Sequence, residues 1–174
     1  MSEHPAPTTR LEFRPFDLEN LPDLAALLRD LAVMRFTIQG ARTVEQSREV
    51  LLGFQRAQAE HGFSKWAVWR RADGAFVGYC GLDFYPIEGR PEVELGYRLM
   101  PAFWGQGLAT EAGRAGVEWA FGERGLPYVL AFLDPANVAS VRVLEKIGLT
   151  RRFDTDIKGH RMDVYRIDAP LPRA

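Results

Sequence analysis

Between Glu92 and Phe121 the chain changes its repeat, and that change restricts what it can fold into. From Glu92 to Met100, the apolar residues Val93, Leu95, Tyr97 and Leu99 alternate with Glu92, Glu94, Gly96 and Arg98, the period of a strand with two unlike faces. Beyond the turn Pro101 to Gly107, the residues Ala109, Ala112, Gly116, Val117, Ala120 and Phe121 share one side of a helix that ends near Gly122 to Gly125. The stretch from Leu99 to Ala112 therefore places Gly105 and Gly107 directly after a strand and directly before a helix. Glycine lets the backbone approach a ligand closely, and the free amides and positive end of the helix favour a phosphate or diphosphate. The spacing is neither the Gly-x-x-x-x-Gly-Lys of a mononucleotide loop nor the Gly-x-Gly-x-x-Gly of a dinucleotide loop. Taken by itself, the turn fits a structural corner nearly as well.

The remaining segments complete an α/β pattern. Leu11, Phe13 and Pro15 alternate with Glu12 and Arg14, a short first strand ending at the proline, and Asp17 reads as an N-cap. Leu21, Leu24, Leu27, Leu28 and Leu31 form the stripe of a first amphipathic helix. Thr43 opens a second, with Gln46 completing a capping box and Val44, Leu51 and Phe54 on one face. Both read as packing helices. Lys65 to Leu82 is β-rich and reads as a hairpin turning at Arg71 to Gly74, followed by a loop with Pro86, Gly89 and Pro91. Tyr128 to Leu133 is a short apolar strand, and Asn137 to Ile147 is a helix stopped by Gly148. Leu149 to Phe153 and Met162 to Ile167 read as two closing strands. The order predicts one mixed sheet with helices on both faces.

The 174 residues amount to one domain, 1–174, with 47% hydrophobic and 26% charged residues, the balance of a soluble globular protein. Twenty-two Lys and Arg against twenty-three Asp and Glu leave a formal charge of -1, so no global field recruits nucleic acid or an anionic bilayer. An anionic ligand must be captured locally. The stretch Met1 to Arg10 is polar, and no later run is apolar enough to cross a bilayer, so a cytoplasmic protein without membrane contact is expected. Cys80 is the only cysteine and within Phe76 to Leu82 reads as a small core residue rather than a nucleophile. His4, His61 and His160 have no metal-ligand spacing; surface or loop positions and no metal are expected.

From Trp104 to Ala109 the sequence, Trp-Gly-Gln-Gly-Leu-Ala, resembles the pyrophosphate loop of the GNAT superfamily of N-acetyltransferases, (Arg or Gln)-x-x-Gly-x-(Gly or Ala). Trp104 departs from the usual first residue. The longer form Trp-Gly-Gln-Gly-x-Ala-Thr-Glu-Ala is similar to the branch that acetylates ribosomal-protein N-termini, the RimJ/RimL type. Asn137 to Leu149 is similar to that branch's Asn-x-x-Ser-x-x-Val-Leu-Glu-Lys-x-Gly-Phe helix, with Leu149 in place of the phenylalanine. Two motifs in the right order and spacing are far more specific than either alone. A looser likeness covers most of the chain, including Arg10-Leu11, Arg14-Pro15 and Gly78 to Leu82.

The resemblance implies a GNAT-like acyl-CoA N-acyltransferase fold of class α/β. Its central, mostly antiparallel sheet would splay between the fourth and fifth strands. Gly105, Gln106, Gly107, Leu108, Ala109 and Thr110 would hold the diphosphate of acetyl-CoA, a co-substrate, with no metal. Amides near Leu99 and Met100 would receive the pantetheine arm in the splay, and an adjacent amide would polarise the thioester carbonyl. Asn137 would meet the pantetheine or merely cap its helix; Ser140 would stand near the sulfur or be merely small. Glu94 is the candidate base or water relay, with an exposed carboxylate paired to an arginine as the structural alternative. Arg142 and Lys146 would meet phosphates or solvate a helix face. Trp66, Trp69, Phe84 and Tyr85 would line an acceptor cleft or fill the core. The acceptor would be a primary amine, either a peptide N-terminus or a small molecule, and the resemblance leaves room for a homodimer. A non-catalytic acyl-CoA sensor and a transferase using succinyl-CoA or a longer acyl donor are the competing functions.

Overall fold

The computed structural model describes residues 2–170. Its elements in chain order are β1 (Leu11–Arg14), α1 (Leu21–Arg29), α2 (Val44–His61), β2 (Lys65–Arg70), β3 (Ala75–Ile87), β4 (Arg90–Leu99), α3 (Leu108–Gly122), β5 (Tyr128–Leu133), α4 (Val138–Ile147), β6 (Thr150–Ile157) and β7 (His160–Asp168), with short 3-10 turns before α1 and α3. The strands form one seven-stranded sheet in the order β1-β2-β3-β4-β5-β7-β6. All neighbours pair antiparallel except β4 and β5, which run parallel.

Helices cover both faces, as the alternation of periods requires. One core joins α3 and α4 to Phe13, Trp66, Val68, Cys80, Leu82 and Leu95. The other joins α1 and α2 to Phe16, Ala67 and Tyr79. Adjacent residues of a strand thus enter different cores, the consequence of the two-residue strand period. Thr43 and Gln46 close the capping box of α2, and Gly62 ends it in the left-handed conformation at φ 75°. Asp17 caps the 3-10 turn Leu18–Asn20 rather than a full helix.

Four expectations change. Leu31 lies beyond α1 and is 79% exposed. The carboxylate of Asp30 accepts the amides of Ala32 and Val33, which opens a turn and throws Leu31 outward. Val44 is also exposed, because it sits in the first turn, beyond the part of α2 that meets the core. The segment with Pro86, Gly89 and Pro91 is strand, not loop: β3 and β4 pair as far as Ile87 and Arg90 around a two-residue turn, Glu88-Gly89, both at positive φ. Hydrogen-bonded and non-hydrogen-bonded rungs alternate along an antiparallel pair. The Met100 amide bonds the Val77 carbonyl at 2.8 Å, and counting back from there puts Pro86 and Pro91 opposite each other on a non-hydrogen-bonded rung. Neither proline's missing N–H interrupts the ladder. The closing hairpin β6–β7 likewise runs several residues past the apolar stretches that announce it.

Candidate active site

The turn between β4 and α3 is held open by its neighbours. Gly105 and Gly107 take φ 71° and 76°, which a residue with a side chain adopts only at a cost. A Cβ at Gly105 would meet nothing within 4 Å, and one at Gly107 only Arg10 Nη2 at 3.7 Å, so the two glycines are required by their backbone conformation rather than by crowding. Gly107 is the N-cap residue of α3 and offers no capping side chain. The amides of Leu108, Ala109 and Thr110 therefore have no partner within the helix and point into the loop. Amides in this arrangement suit a diphosphate.

The chain's first segment braces the loop from outside. Arg10 donates from Nη1 to the Gln106 carbonyl at 2.9 Å and from Nε to Glu111 at 2.6 Å. Glu111 also accepts from Thr8 Oγ1 at 2.6 Å and from the Arg10 amide at 2.9 Å. Burial pushes the Glu111 carboxyl up, but the donors from Thr8 and Arg10 outweigh it and hold the group below its ordinary value. Gln106 turns its side chain to the Ala102 carbonyl. Trp104, 48% exposed, donates its indole N–H to the Leu99 carbonyl at 2.7 Å. That bond ties the loop to the end of β4 and gives the unusual first residue of the motif a structural task.

Beside the loop the sheet opens. Among the described residues, strand β4 pairs with β5 only at Glu94 and Leu130, while β5 goes on pairing with β7 as far as Leu133. From Gly96 onward β4 has no neighbour on that side. Because Leu99 shares a non-hydrogen-bonded rung with Gly78, its amide turns away from β3 and into the gap, as does that of Tyr97. Met100 differs from expectation. Its amide bonds Val77 and its carbonyl accepts from Phe103, so the Leu99 amide, and not that of Met100, faces the gap.

Helix α4 stands across the opening. Asn137 caps it by accepting the Ser140 amide at 3.2 Å. The hydroxyl of Tyr97 donates to the Ser140 carbonyl at 3.3 Å, and burial pushes the Tyr97 phenol well above its ordinary range. With the backbone of Ser140 used in both directions, its hydroxyl is the group not spent on holding the helix. Arg142 and Lys146 are exposed on α4.

On the opposite face of β4, the side chains of Glu92, Glu94 and Arg98 line up as the strand period requires. Glu94 is neither exposed nor paired with an arginine. Its Oε1 lies 2.6 Å from Lys65 Nζ, and the two side chains are only 13% and 7% exposed. Across β3, Asp83 stands opposite Glu94 and Tyr85 opposite Glu92. The rings of Tyr85 and Phe132 meet at 4.6 Å, and burial together with the Glu94 charge raises the Tyr85 phenol. Of the aromatic cleft candidates, Trp66 is fully buried against Trp119 in the core, and Trp69 packs against Phe76. Phe84 packs edge-to-face against His61 and tilted against Phe63. Tyr85 alone joins the carboxylates. Cys80 is fully buried, and burial pushes its thiol up to about 12, which leaves no thiolate at neutral pH.

The residues that sequence reasoning missed are Lys65, Tyr97, Arg10 and Glu111. The row Lys65, Gly81, Gly96 is visible only once the strand register is known. Among the described residues no group of three His, Cys, Asp or Glu is placed to hold a metal ion, and no helix is long and apolar enough to cross a membrane.

A split sheet with an uncapped helix start at its mouth suits an extended ligand with an anionic end, and comparison with known proteins gives the class, an acyl-CoA-dependent transferase. The model of the acetyltransferase (GNAT) domain matches residues 10–150. The protein YkkB of Bacillus subtilis (strain 168) is 36% identical over 143 residues, 82% of this chain and 83% of that protein. The FsC-acetyl coenzyme A-N(2)-transacetylase of Aspergillus fumigatus is 34% identical over 87% of this chain and 70% of its own length. An acetyltransferase from Agrobacterium tumefaciens superposes with a TM-score of 0.83 at 25% identity, covering 96% of this chain and 95% of that one. The RimL structure, with coenzyme A, superposes at 0.77 with 19% identity over 94% and 97%, which shows the shared fold alone. The chain belongs to the GNAT acetyltransferase family. It is an acyltransferase that uses acetyl-CoA.

Proposed function

We propose that the chain acetylates a primary amine, either a peptide N-terminus or a small molecule, by direct attack on the thioester of acetyl-CoA. The single observation that carries this reading is the Leu99 amide, turned into the β4–β5 gap beside the uncapped start of α3. Pantetheine would lie in the gap as an added strand, with the diphosphate on the amides of Gly107, Leu108, Ala109 and Thr110. The amine would enter from the face of β4 that carries Glu94. Its nitrogen forms the C–N bond to the acyl carbon, the C–S bond breaks, and the sulfur leaves as thiolate. The proton lost by the amine passes to Glu94 directly or through one water. The Ser140 hydroxyl would stand near the sulfur and donate to it, and Asn137 would hold the first turn of α4 against the pantetheine. The resemblance to the RimJ/RimL branch supports a protein N-terminus as acceptor, and the Aspergillus fumigatus relative, by its name an N(2)-transacetylase, supports acetyl-CoA as donor.

The test is release of free CoA from acetyl-CoA in the presence of a panel of amines that includes peptides with free N-termini, alongside succinyl-CoA as competing donor. Acetyl-CoA bound at micromolar affinity with no CoA released by any amine would make the chain a sensor rather than an enzyme.

A further inference from the structure

The ion pair of Lys65 and Glu94 is built with unusual economy of space. Lys65 begins β2, Glu94 lies on β4, and β3 runs between them, so the lysine must cross the whole width of a strand to reach the carboxylate. It does so over two glycines that stand beside it in register, Gly81 and Gly96. A Cβ at Gly96 would lie 2.9 Å from Lys65 Nζ and 3.1 and 3.2 Å from the two carboxylate oxygens. A Cβ at Gly81 would fall 2.2 Å from the Ser64 carbonyl oxygen, so β2 also approaches β3 closely just where the lysine starts. Nζ then donates to Glu94 Oε1 at 2.6 Å, to the Gly81 carbonyl at 3.2 Å and to the Glu94 carbonyl at 3.4 Å. Those three bonds use all three ammonium protons.

A buried pair of this kind adds little net stability over well-packed apolar side chains, because both charges lose their water. What it does fix is direction. Oε1 is committed to the lysine, and Oε2 is left as the oxygen that meets an acceptor amine or an intervening water.

We propose that Lys65 is the positioning residue of this enzyme, holding Glu94 by Oε1 so that Oε2 addresses the acceptor. The inference rests on the role of Glu94 given above. The other ionisable groups near this pair are Asp83 and Tyr85 on β3, Glu92 and Arg98 on β4, and Glu3 and Arg124, which line the cavity beside Lys65. Glu92 accepts from the Tyr128 hydroxyl at 2.8 Å, and Arg98 donates to the Tyr79 hydroxyl, so both are already engaged. On the other face lies Cys80, buried and protonated.

The test is a set of kinetic profiles from pH 5.5 to 9 on Lys65→Met, Glu94→Gln and the double variant, with a melting temperature for each. Lys65→Met should lower kcat about 30-fold, part of what a well-placed base contributes, with KM for acetyl-CoA unchanged and the acidic limb of the kcat profile displaced. In the Glu94→Gln background the same change should cost nothing further, because Lys65 acts only through Glu94. A Lys65→Met protein that melts lower but keeps its kcat and its pH profile overturns the assignment. Where Lys65→Met folds too poorly to assay, the double variant decides, since it buries no lone charge. A kcat equal to that of Glu94→Gln supports the proposal, and a further loss beyond about threefold overturns it. If wild type is active and Glu94→Gln is silent, the positioning role falls and acetyl transfer stands. If wild type transfers acetyl to no amine, both fall.

Discussion

Two helices begin beside the β4–β5 gap, and they begin in opposite ways. Helix α3 starts at Gly107, which caps nothing and leaves its first amides bare. Helix α4 starts at Asn137, whose side chain accepts the Ser140 amide and satisfies the helix from within. A bare helix start near no solvent-replacing side chain is a cost in an isolated fold, and it becomes an asset when an anion supplies the missing acceptors. A capped start is stable alone and has less to offer a phosphate. The difference separates binding from support in the proposed reading: α3 would hold the anionic end of the co-substrate, and α4 would present one hydroxyl, that of Ser140, on a frame that needs no ligand to form.

The sharpest way to break this contrast is Gly107→Val. A β-branched residue at φ 76° costs about 2 kcal/mol in backbone strain, and its methyl groups would press toward the Arg10 guanidinium that braces the loop, so the loop and its amides must shift. The dissociation constant for acetyl-CoA, read by calorimetry, should rise at least about 30-fold. Equal affinity in variant and wild type would show that the amides of α3 are not the anion site. Ser140→Ala comes next: kcat should fall about tenfold, near 1.4 kcal/mol in barrier, with cofactor affinity unchanged. Only about tenfold is expected because thiolate leaves tolerably well without a donor. Asn137→Ala should cost about 1 kcal/mol of stability through the lost cap. If its KM for acetyl-CoA also rises, α4 binds as well as supports, and the two helix starts are less different than their caps suggest. A stable fold with a fully active Ser140→Ala would leave α4 structural only.

Half of this comparison is legible in the sequence and half is not. The glycines of the loop, the Asn137 cap and the strand period that puts Glu94 opposite Leu95 all follow from local rules that need only a few neighbouring residues. The same holds for the Asp73-Gly74 turn between β2 and β3. What the sequence hides depends on register between distant strands. Lys65 reads as an ordinary first strand residue until Gly81 and Gly96 are known to flank it. That rung alternation commits the Met100 amide to Val77 and frees that of Leu99 is likewise a property of the pairing, because the two residues are neighbours and look equivalent in sequence. Pro86 and Pro91 mislead for the same reason: proline signals a loop unless its partner across the ladder makes the missing N–H irrelevant.

The smallest effect tests whether the bare start of α3 depends on its outer brace. Glu111 joins Thr8 and Arg10 to the first turn of α3, and Arg10 reaches on to the Gln106 carbonyl inside the loop. Arg10 is 47% exposed and Glu111 18%, so the ion pair itself is worth at most about 1 kcal/mol after solvent screening. The folded-state value of Glu111 lies below its unfolded one, so the carboxylate contributes stability that is complete above the ordinary carboxylate range and disappears as pH falls through the lowered folded value. Wild type should therefore melt a few degrees above Glu111→Gln at pH 7, and the two should converge in acid, starting below about pH 4.3. Convergence at neutral pH would mean that the brace adds no stability. The kinetic readout sharpens the contrast. If the loop is shaped by the brace, Glu111→Gln raises KM for acetyl-CoA severalfold while kcat holds; if the two glycines shape it unaided, KM stays where it was and only the melting curve moves.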